Sequence, residues 1–139
     1  MRNKVEACIC KTKDSQIKFE ENKRKIVFEN PSRLSYERVD VDGCTITEGI
    51  RCDKLLLSED EHEERYVELK GTDVMHAIDQ LEETIKHLGE YTDNRYAYII
   101  STNVAPAIYP KCQAKIKYFK EKYCAELKIQ EKQLKVSLY

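Results

Sequence analysis

Residues 65–71 read Arg-Tyr-Val-Glu-Leu-Lys-Gly, and residues 49–57 before them read Gly-Ile-Arg-Cys-Asp-Lys-Leu-Leu-Leu. Both stretches favour β-strand, the first because polar and apolar residues alternate in it and the second because of its apolar run. The acidic residues 58–64 between them are too polar for anything but a connecting turn. The simplest arrangement is therefore an antiparallel hairpin, and the rest of the chain is interpreted around it.

The hairpin brings charged side chains together. In the second strand the period of two puts Val67 and Leu69 on one sheet face and Glu68 and Lys70 on the other. If the register places Asp53 opposite the Glu68 region, two carboxylates and one lysine converge. This is the minimum set for holding a divalent metal beside an activated water, and oxygen ligands suit a hard cation such as Mg²⁺ or Mn²⁺.

The spacing of these residues resembles a known motif. Asp53, then fourteen residues, then Glu68-Leu69-Lys70 is similar to the PD-(D/E)xK motif. In that superfamily the aspartate and the ExK strand form the active site of many restriction enzymes, resolvases and repair nucleases. Cys52 stands where the motif usually has proline, which many members also lack.

A helix is predicted to follow the second strand, over residues 73–88. Thr72 is the expected N-cap and Gly89 the C-terminal stop. The apolar stripe at helical spacing is formed by Val74, Ala77, Ile78, Leu81, Ile85 and Leu88. Gln80 lies on the flank of that stripe. The resemblance, which covers roughly residues 40–105, extends to Gln80, because members such as the lambda exonuclease group carry a glutamine in a third motif on this helix.

The resemblance implies a function and a site. The expected activity is divalent-metal-dependent hydrolysis of phosphodiester bonds, with Mg²⁺ or Mn²⁺ as cofactor. DNA is the expected substrate, and the choice between DNA and RNA stays open. Asp53, Glu68 and the backbone carbonyl of Leu69 would bind the metal, Lys70 would orient the attacking water, and Gln80 would complete the catalytic set. Relatives often add a glutamate from a preceding helix. No clear helix precedes Asp53 here, so the extra carboxylate stays open between Glu37 and Glu48.

The remaining pattern predicts an α/β fold with a mixed central sheet flanked by helices, as in a restriction-endonuclease-like core. Residues 1–139 fit a single domain of this kind. The predicted elements are a short strand within 1–13, a hairpin over 17–29, strands over 34–42 and 95–102, a helix over 111–123 and one or two strands over 124–139. The order strand–helix–strand from 65 to 102 implies that those two strands are parallel.

Two basic segments are candidates for contact with phosphate. The helix over 111–123 carries the lysines Lys111, Lys115, Lys117, Lys120 and Lys122 against the single acid Glu121. Lys111, Lys115, Lys117 and Lys122 are the predicted nucleic-acid-binding residues, with a solvated helix face as the alternative. Lys23-Arg24-Lys25, in the hairpin over 17–29, is either a solvated turn or a further phosphate contact.

Composition narrows the class of protein. With 24 basic and 25 acidic residues the net charge is −1, so any nucleic acid must be met by a local patch. The N-terminus lacks a signal-peptide pattern and no apolar run approaches about 18 residues, which predicts a soluble, cytoplasmic protein without a membrane partner. The six cysteines are expected to be reduced thiols in that compartment.

A second function stays open beside the nuclease. The chain could keep a nuclease-like scaffold without hydrolysis and act as a binding module for nucleic acid or protein. The missing preceding glutamate and the neutral charge favour this alternative, whereas the intact Asp53, Glu68 and Lys70 favour the enzyme. The resemblance also implies a possible homodimer, as in many small single-domain members, because one basic face on a body of this size contacts little of a duplex.

Overall fold

The computed structural model describes residues 5–45, 49, 51–60, 62–90 and 94–138. Glu48, one of the two candidates for an extra carboxylate, lies outside the described residues. The described part is mixed α/β and has three layers: two helices, a six-stranded central sheet and a three-stranded sheet.

The helices and strands follow in chain order. They are β1 (Ile9–Thr12), β2 (Gln16–Glu21), β3 (Arg24–Glu29), β4 (Tyr36–Asp40), β5 (Lys54–Ser58), β6 (Glu63–Lys70), α1 (Val74–Leu88), β7 (Asn94–Ser101), α2 (Tyr109–Tyr123), β8 (Ala125–Glu131) and β9 (Gln133–Ser137). Two single-turn 3-10 helices lie at Glu6–Cys8 and Pro106–Ile108.

The central sheet has the order β1-β4-β5-β6-β7-β8 and the smaller sheet the order β2-β3-β9. Neighbours from β1 to β6 are antiparallel, whereas β6, β7 and β8 run parallel, with α1 and α2 as the connections. The prediction of a mixed central sheet is confirmed. So are the antiparallel pairing of β5 with β6 and the parallel pairing of β6 with β7.

Both faces of the central sheet are covered. Tyr66 and Ile99 lie on the face that packs against the buried stripe of α1 and α2, within one hydrophobic core. Val67 and Leu69 lie on the opposite face, in a second core shared with the small sheet. The alternation in β6 was therefore predicted correctly, but neither face is open to solvent, because the small sheet covers the second one.

Helix α1 forms where its apolar stripe predicts it. All six residues of that stripe are buried, and the helix ends at Gly89, whose N–H bonds to the Ile85 carbonyl. The cap is one residue later than predicted: the side chain of Asp73, not Thr72, accepts a hydrogen bond from the His76 N–H. A carboxylate in this position satisfies a free helix N–H and also opposes the positive end of the helix dipole.

The bounds of β5, β6 and α2 also differ from the sequence prediction. The first strand of the hairpin, β5, covers Lys54–Ser58, so Asp53 lies just before the strand and Ser58 within it. Glu63 and Glu64 belong to β6 rather than to the turn, because each has a partner: Glu63 pairs with Arg65 and Glu64 with Arg95. Helix α2 begins at Tyr109 instead of residue 111. Pro110 in its first turn lacks an N–H that the helix would leave unbonded there anyway.

The expectation of six reduced cysteines is wrong for two of them. Cys8 and Cys44 form a disulfide with a Cα–Cα distance of 5.9 Å, although they are 36 residues apart in sequence. Antiparallel pairing of β1 with β4, with Ile9 opposite Val39, brings the two segments together. Cys10, Cys52, Cys112 and Cys124 are free thiols.

No helix in the described ranges has the length and apolar character needed to cross a bilayer.

The packing of α1 can be tested at Leu81, which is fully buried against the central sheet. Leu81→Asp puts an unpaired carboxylate into that core, so we expect the free energy of unfolding to fall by roughly 3–5 kcal/mol. His76→Asp introduces the same group on the exposed face of the helix and should cost less than about 0.5 kcal/mol. Urea unfolding followed by circular dichroism measures both, and equal stabilities would contradict the packing.

Candidate functional site

Asp53 and Glu68 meet at one end of the β5–β6 hairpin. Lys54 lies opposite Val67, and this register places Asp53, just before β5, beside Glu68. Each carboxylate accepts a backbone N–H from the other strand: Glu68 Oε1 from Asp53 at 3.0 Å, and Asp53 Oδ2 from Leu69 at 2.9 Å. The structure therefore brings together the two predicted metal-binding side chains and Leu69, the third predicted ligand.

The two carboxylates perturb each other. Burial, and after it the charge of Asp53, raises the pKa of Glu68 to about 8. Burial also raises the pKa of Asp53, against the hydrogen bond from Leu69 that lowers it. Two like charges in a poorly solvated place cannot both ionise easily, so the pair retains a proton at neutral pH unless a cation is added.

The donor set is suited to a hard divalent cation. The hydrogen bonds engage one oxygen of each carboxylate, and no hydrogen bond or ion pair within the described residues engages Asp53 Oδ1 or Glu68 Oε2. Carboxylate oxygens are the ligands that Mg²⁺ and Mn²⁺ prefer. No group of three His, Cys, Asp or Glu side chains arranged to hold a metal occurs among the residues that the structure describes. Asp53 and Glu68 would therefore need a backbone carbonyl or water as further ligands.

Gln80 reaches the segment that carries Asp53. Its Nε2 donates to the Arg51 carbonyl at 3.0 Å, while its Oε1 is buried without a hydrogen-bond partner in the described part of the chain. Such an orphaned carbonyl oxygen is costly unless a water or a cation satisfies it. The amide therefore positions residue 51 and offers one free acceptor close to the candidate site.

Thr84 is a positioning residue that the sequence analysis missed. It is fully buried one helical turn after Gln80, donates its hydroxyl hydrogen to the Gln80 carbonyl and accepts the Cys52 N–H at 2.7 Å. The available signal was a polar residue on the apolar side of α1, between Leu81 and Leu88. Gln80 and Thr84 together fix the backbone of residues 51 and 52, and thereby the approach of Asp53 to Glu68.

Lys70 lies at the end of β6, two residues beyond Glu68, and is half-buried. Its charge lowers the pKa of Glu68, against the larger effects of burial and of Asp53. The alternation of β6 puts both side chains on the same sheet face, as predicted. The predicted catalytic set Asp53, Glu68, Lys70 and Gln80 therefore lies around one end of the hairpin.

Other carboxylates approach the pair less closely. Asp42 raises the pKa of both Asp53 and Glu68, although an ion pair with Arg51 at 2.8 Å already engages it. Glu37 is not brought to the site: it lies opposite Leu57, four residues along β5 from Asp53 and about 13 Å away by strand geometry. Asp42 is the better placed candidate for an extra carboxylate.

The predicted phosphate-binding lysines spread along α2. The helix starts beyond the end of β7 that is level with Lys70, and its last residue, Tyr123, accepts a hydrogen bond from Arg95 at the opposite end of β7. Lys111 is therefore at the site end of the sheet and Lys122 at the far end, about 16 Å along the helix. Lys115 and Lys122 lie over the Tyr118 ring, at 4.9 and 5.4 Å, and Lys117 is 4.0 Å from Glu121.

Comparison with known proteins adds no assignment: no family model, no curated protein and no solved structure matches this chain.

The raised pKa of Glu68 predicts a pH dependence of stability. Folded Glu68 keeps its proton up to about pH 8, whereas in the unfolded chain it ionises near its ordinary value of 4.5. Between these values the folded state binds more protons, so the metal-free protein should lose on the order of a few kcal/mol of unfolding free energy as the pH rises.

Urea unfolding in EDTA at pH 5, 7 and 9 measures this loss. Glu68→Gln should remove most of the decline, because the glutamine side chain does not ionise in this pH range. At pH 9 it should therefore be more stable than the wild type. Glu126→Gln, an exposed control on β8, should follow the wild type. Parallel curves for the wild type and Glu68→Gln would contradict a perturbed Glu68.

Proposed function

We propose that this protein is a divalent-metal-dependent nuclease that hydrolyses phosphodiester bonds, with DNA as the expected substrate. The observation that carries the proposal is the pair of the partly buried Asp53 and the buried Glu68, each held by a backbone N–H and each with one unengaged oxygen. A structural ion pair would set a carboxylate against a cation. Two carboxylates held side by side instead create a site that favours binding of a cation.

Each residue has a proposed role. Asp53, Glu68 and the Leu69 carbonyl hold Mg²⁺ or Mn²⁺, and such an ion supplies a more acidic bound water and polarises the phosphate. Lys70 orients the attacking water and offsets negative charge that develops in the transition state. Gln80 holds residue 51 in place through its Nε2, and its buried Oε1 remains as an acceptor for a water molecule.

The fold supports the same proposal. A restriction-endonuclease-like core needs the Asp strand, the ExK strand and the Gln-bearing helix to follow one another and to pack together. Here β5 and β6 form an antiparallel hairpin, and α1 packs on the same sheet with Gln80 bonded to the segment before β5. The strands β2, β3 and β4 precede this unit, where members of that superfamily often carry a helix with a glutamate.

A specific observation also favours the second candidate, a binding module without hydrolysis. Among the described residues, no third acidic side chain forms a metal-binding group with Asp53 and Glu68. Their hydrogen bonds already link the two sides of the hairpin at this end without a metal. In that case the carboxylates have a structural role, and nucleic acid or a protein is bound without being cut.

Substitution of Asp53 separates the two candidates. Asp53→Asn removes a charged oxygen ligand but still accepts the Leu69 N–H, so Mn²⁺ affinity and cleavage should fall together. Stability in EDTA should stay equal or rise slightly, because carboxylate repulsion is relieved. Titration calorimetry with Mn²⁺ and cleavage of supercoiled, linear and branched DNA measure these effects. If the wild type binds no divalent ion even with nucleic acid present, the binding module is the better account.

Lys70→Ala should separate charge stabilisation from metal binding. We expect kcat to fall at least about a hundredfold, the order seen when one electrostatic stabiliser is removed, with Mn²⁺ affinity changed by less than about threefold. Lys128→Ala, an exposed lysine on β8, is the matched control and should leave kcat unchanged. A similar loss of metal binding in Lys70→Ala would place Lys70 among the groups that build the site instead.

The lysines of α2 are proposed to contact phosphates rather than bases. Replacing Lys115, Lys117 and Lys122 together by alanine should weaken binding to unrelated sequences about equally and reduce the salt slope by roughly one per lost contact. Fluorescence anisotropy over a salt series measures both quantities. Unchanged affinity and slope would show that α2 presents only a solvated face.

A further inference from the structure

A second basic surface lies directly beside the candidate site. We define the basic edge as Lys23, Arg24, Lys25 and Lys132. The first three come from the turn and start of β3 in the β2–β3 hairpin, and Lys132 is the single residue between β8 and β9. Lys23 and Lys132 have positive φ values of 68° and 66°, which make both turns sharp.

Backbone hydrogen bonds connect these turns to the end of the central sheet. The Lys25 N–H donates to the Lys132 carbonyl at 3.0 Å, and the Lys132 N–H donates to the Ser101 carbonyl at 2.7 Å. Ser101 lies opposite Lys70 in the pairing of β6 with β7. Ser101 also pairs with Glu131 on β8, the residue before Lys132. Two strand spacings therefore separate Lys132 from Lys70, a distance of ~10 Å.

The side chains of the basic edge confirm that it adjoins the site. The Nη1 of Arg24 donates a hydrogen bond to the Thr102 hydroxyl at 3.2 Å, just beyond the end of β7. Thr102 directly follows Ser101, which pairs with Lys70 at the end of β6. The turn of the hairpin therefore reaches over the same end of the sheet as Asp53.

The charges of the basic edge are unneutralised. None of its four side chains has a carboxylate within 4.0 Å in the described ranges, whereas Lys117 on α2 has Glu121. The nearby acids are Glu20, Glu21 and Glu131, and Glu20 already pairs with Lys18 at 3.4 Å, so cations remain in excess. In addition, Arg24 Nε is buried and has no hydrogen-bond partner in the described residues. This leaves one unsatisfied donor on the same guanidinium whose Nη1 donates to Thr102.

We infer that the basic edge binds the phosphodiester backbone of the nucleic acid next to the bond at the candidate site. This inference rests on the proposed function and deepens it, because it names the surface that carries the flanking phosphates. Arginine and lysine side chains without carboxylate partners can donate charged hydrogen bonds to the oxygens of a phosphate backbone. A position ~10 Å from Lys70 fits phosphates of the same strand, one or two nucleotides from the site.

The test is binding of fluorescein-labelled single-stranded and duplex oligonucleotides in EDTA, by fluorescence anisotropy over a salt series. Lys23→Gln with Lys132→Gln keeps an unbranched polar side chain at both exposed positions and removes two charges. We expect its Kd to rise at least about tenfold and its salt slope to fall by roughly 1.4 to 1.8, the value for two lost phosphate contacts. Arg24→Gln should weaken binding in the same direction.

The matched control is Lys11→Gln with Lys13→Gln, two exposed lysines at the opposite end of the sheet, near Tyr36. Its Kd should stay within about twofold of the wild type. Equal losses in both double variants, no loss in the Lys23/Lys132 variant, or no binding by the wild type would each overturn the inference. Thermal melts of all variants verify that they are folded.

Cleavage and Mn²⁺ calorimetry, done separately, distinguish this inference from the proposed function. If only the Lys23/Lys132 variant loses binding and the wild type cleaves no DNA, phosphate binding by the basic edge is supported and the proposed nuclease activity is contradicted. If the wild type cleaves DNA and the Lys23/Lys132 variant binds like the control, the nuclease activity is supported and phosphate binding by the basic edge is contradicted.

Discussion

A buried ion pair between Glu64 and Arg95 joins the neighbouring strands β6 and β7 to both helices. The carboxylate and guanidinium are 2.7 Å apart, and Glu64 is fully inaccessible to solvent. Arg95 also donates to the carbonyl of Tyr123, the last residue of α2, and Glu64 accepts the N–H of Glu90, just beyond α1. Removal of either partner would leave the other charge unpaired in the core and lower the free energy of unfolding by about 3–5 kcal/mol. The positions of both helices over the sheet therefore depend on this pair.

The candidate site depends on the position of α1 in turn. Gln80 and Thr84 reach from the helix to the backbone of residues 51 and 52, and this segment leads directly into Asp53. The helix thereby holds Asp53 against Glu68 despite their mutual repulsion. Backbone N–H groups offset part of that repulsion, and a cation would remove the rest. An arrangement that is unfavourable without a ligand and is maintained by the surrounding packing is typical of a functional site.

The two basic surfaces of the protein have different electrostatic surroundings. On α2, Lys115 and Lys122 lie over an aromatic ring, and the helix leads away from the candidate site. The basic edge has four cations without ion-pair partners in the described residues, close to the carboxylates. For proposing phosphate contacts, the density of lysines in the sequence is therefore a weaker guide than the absence of ion-pair partners in the fold, because a neutralised charge contributes little to the local potential.

The sequence by itself determined the strands around Asp53 and Glu68, the parallel pairing across α1 and the buried stripe of that helix. Alternation and helical spacing encode local geometry, so these features need no knowledge of distant residues. Tertiary structure decided the rest. The disulfide between Cys8 and Cys44, the burial of Glu64 and the role of Thr84 each need a partner from 31 to 36 residues away or from another layer. The basic edge forms only when two turns separated by more than a hundred residues share backbone hydrogen bonds, which no local pattern reports.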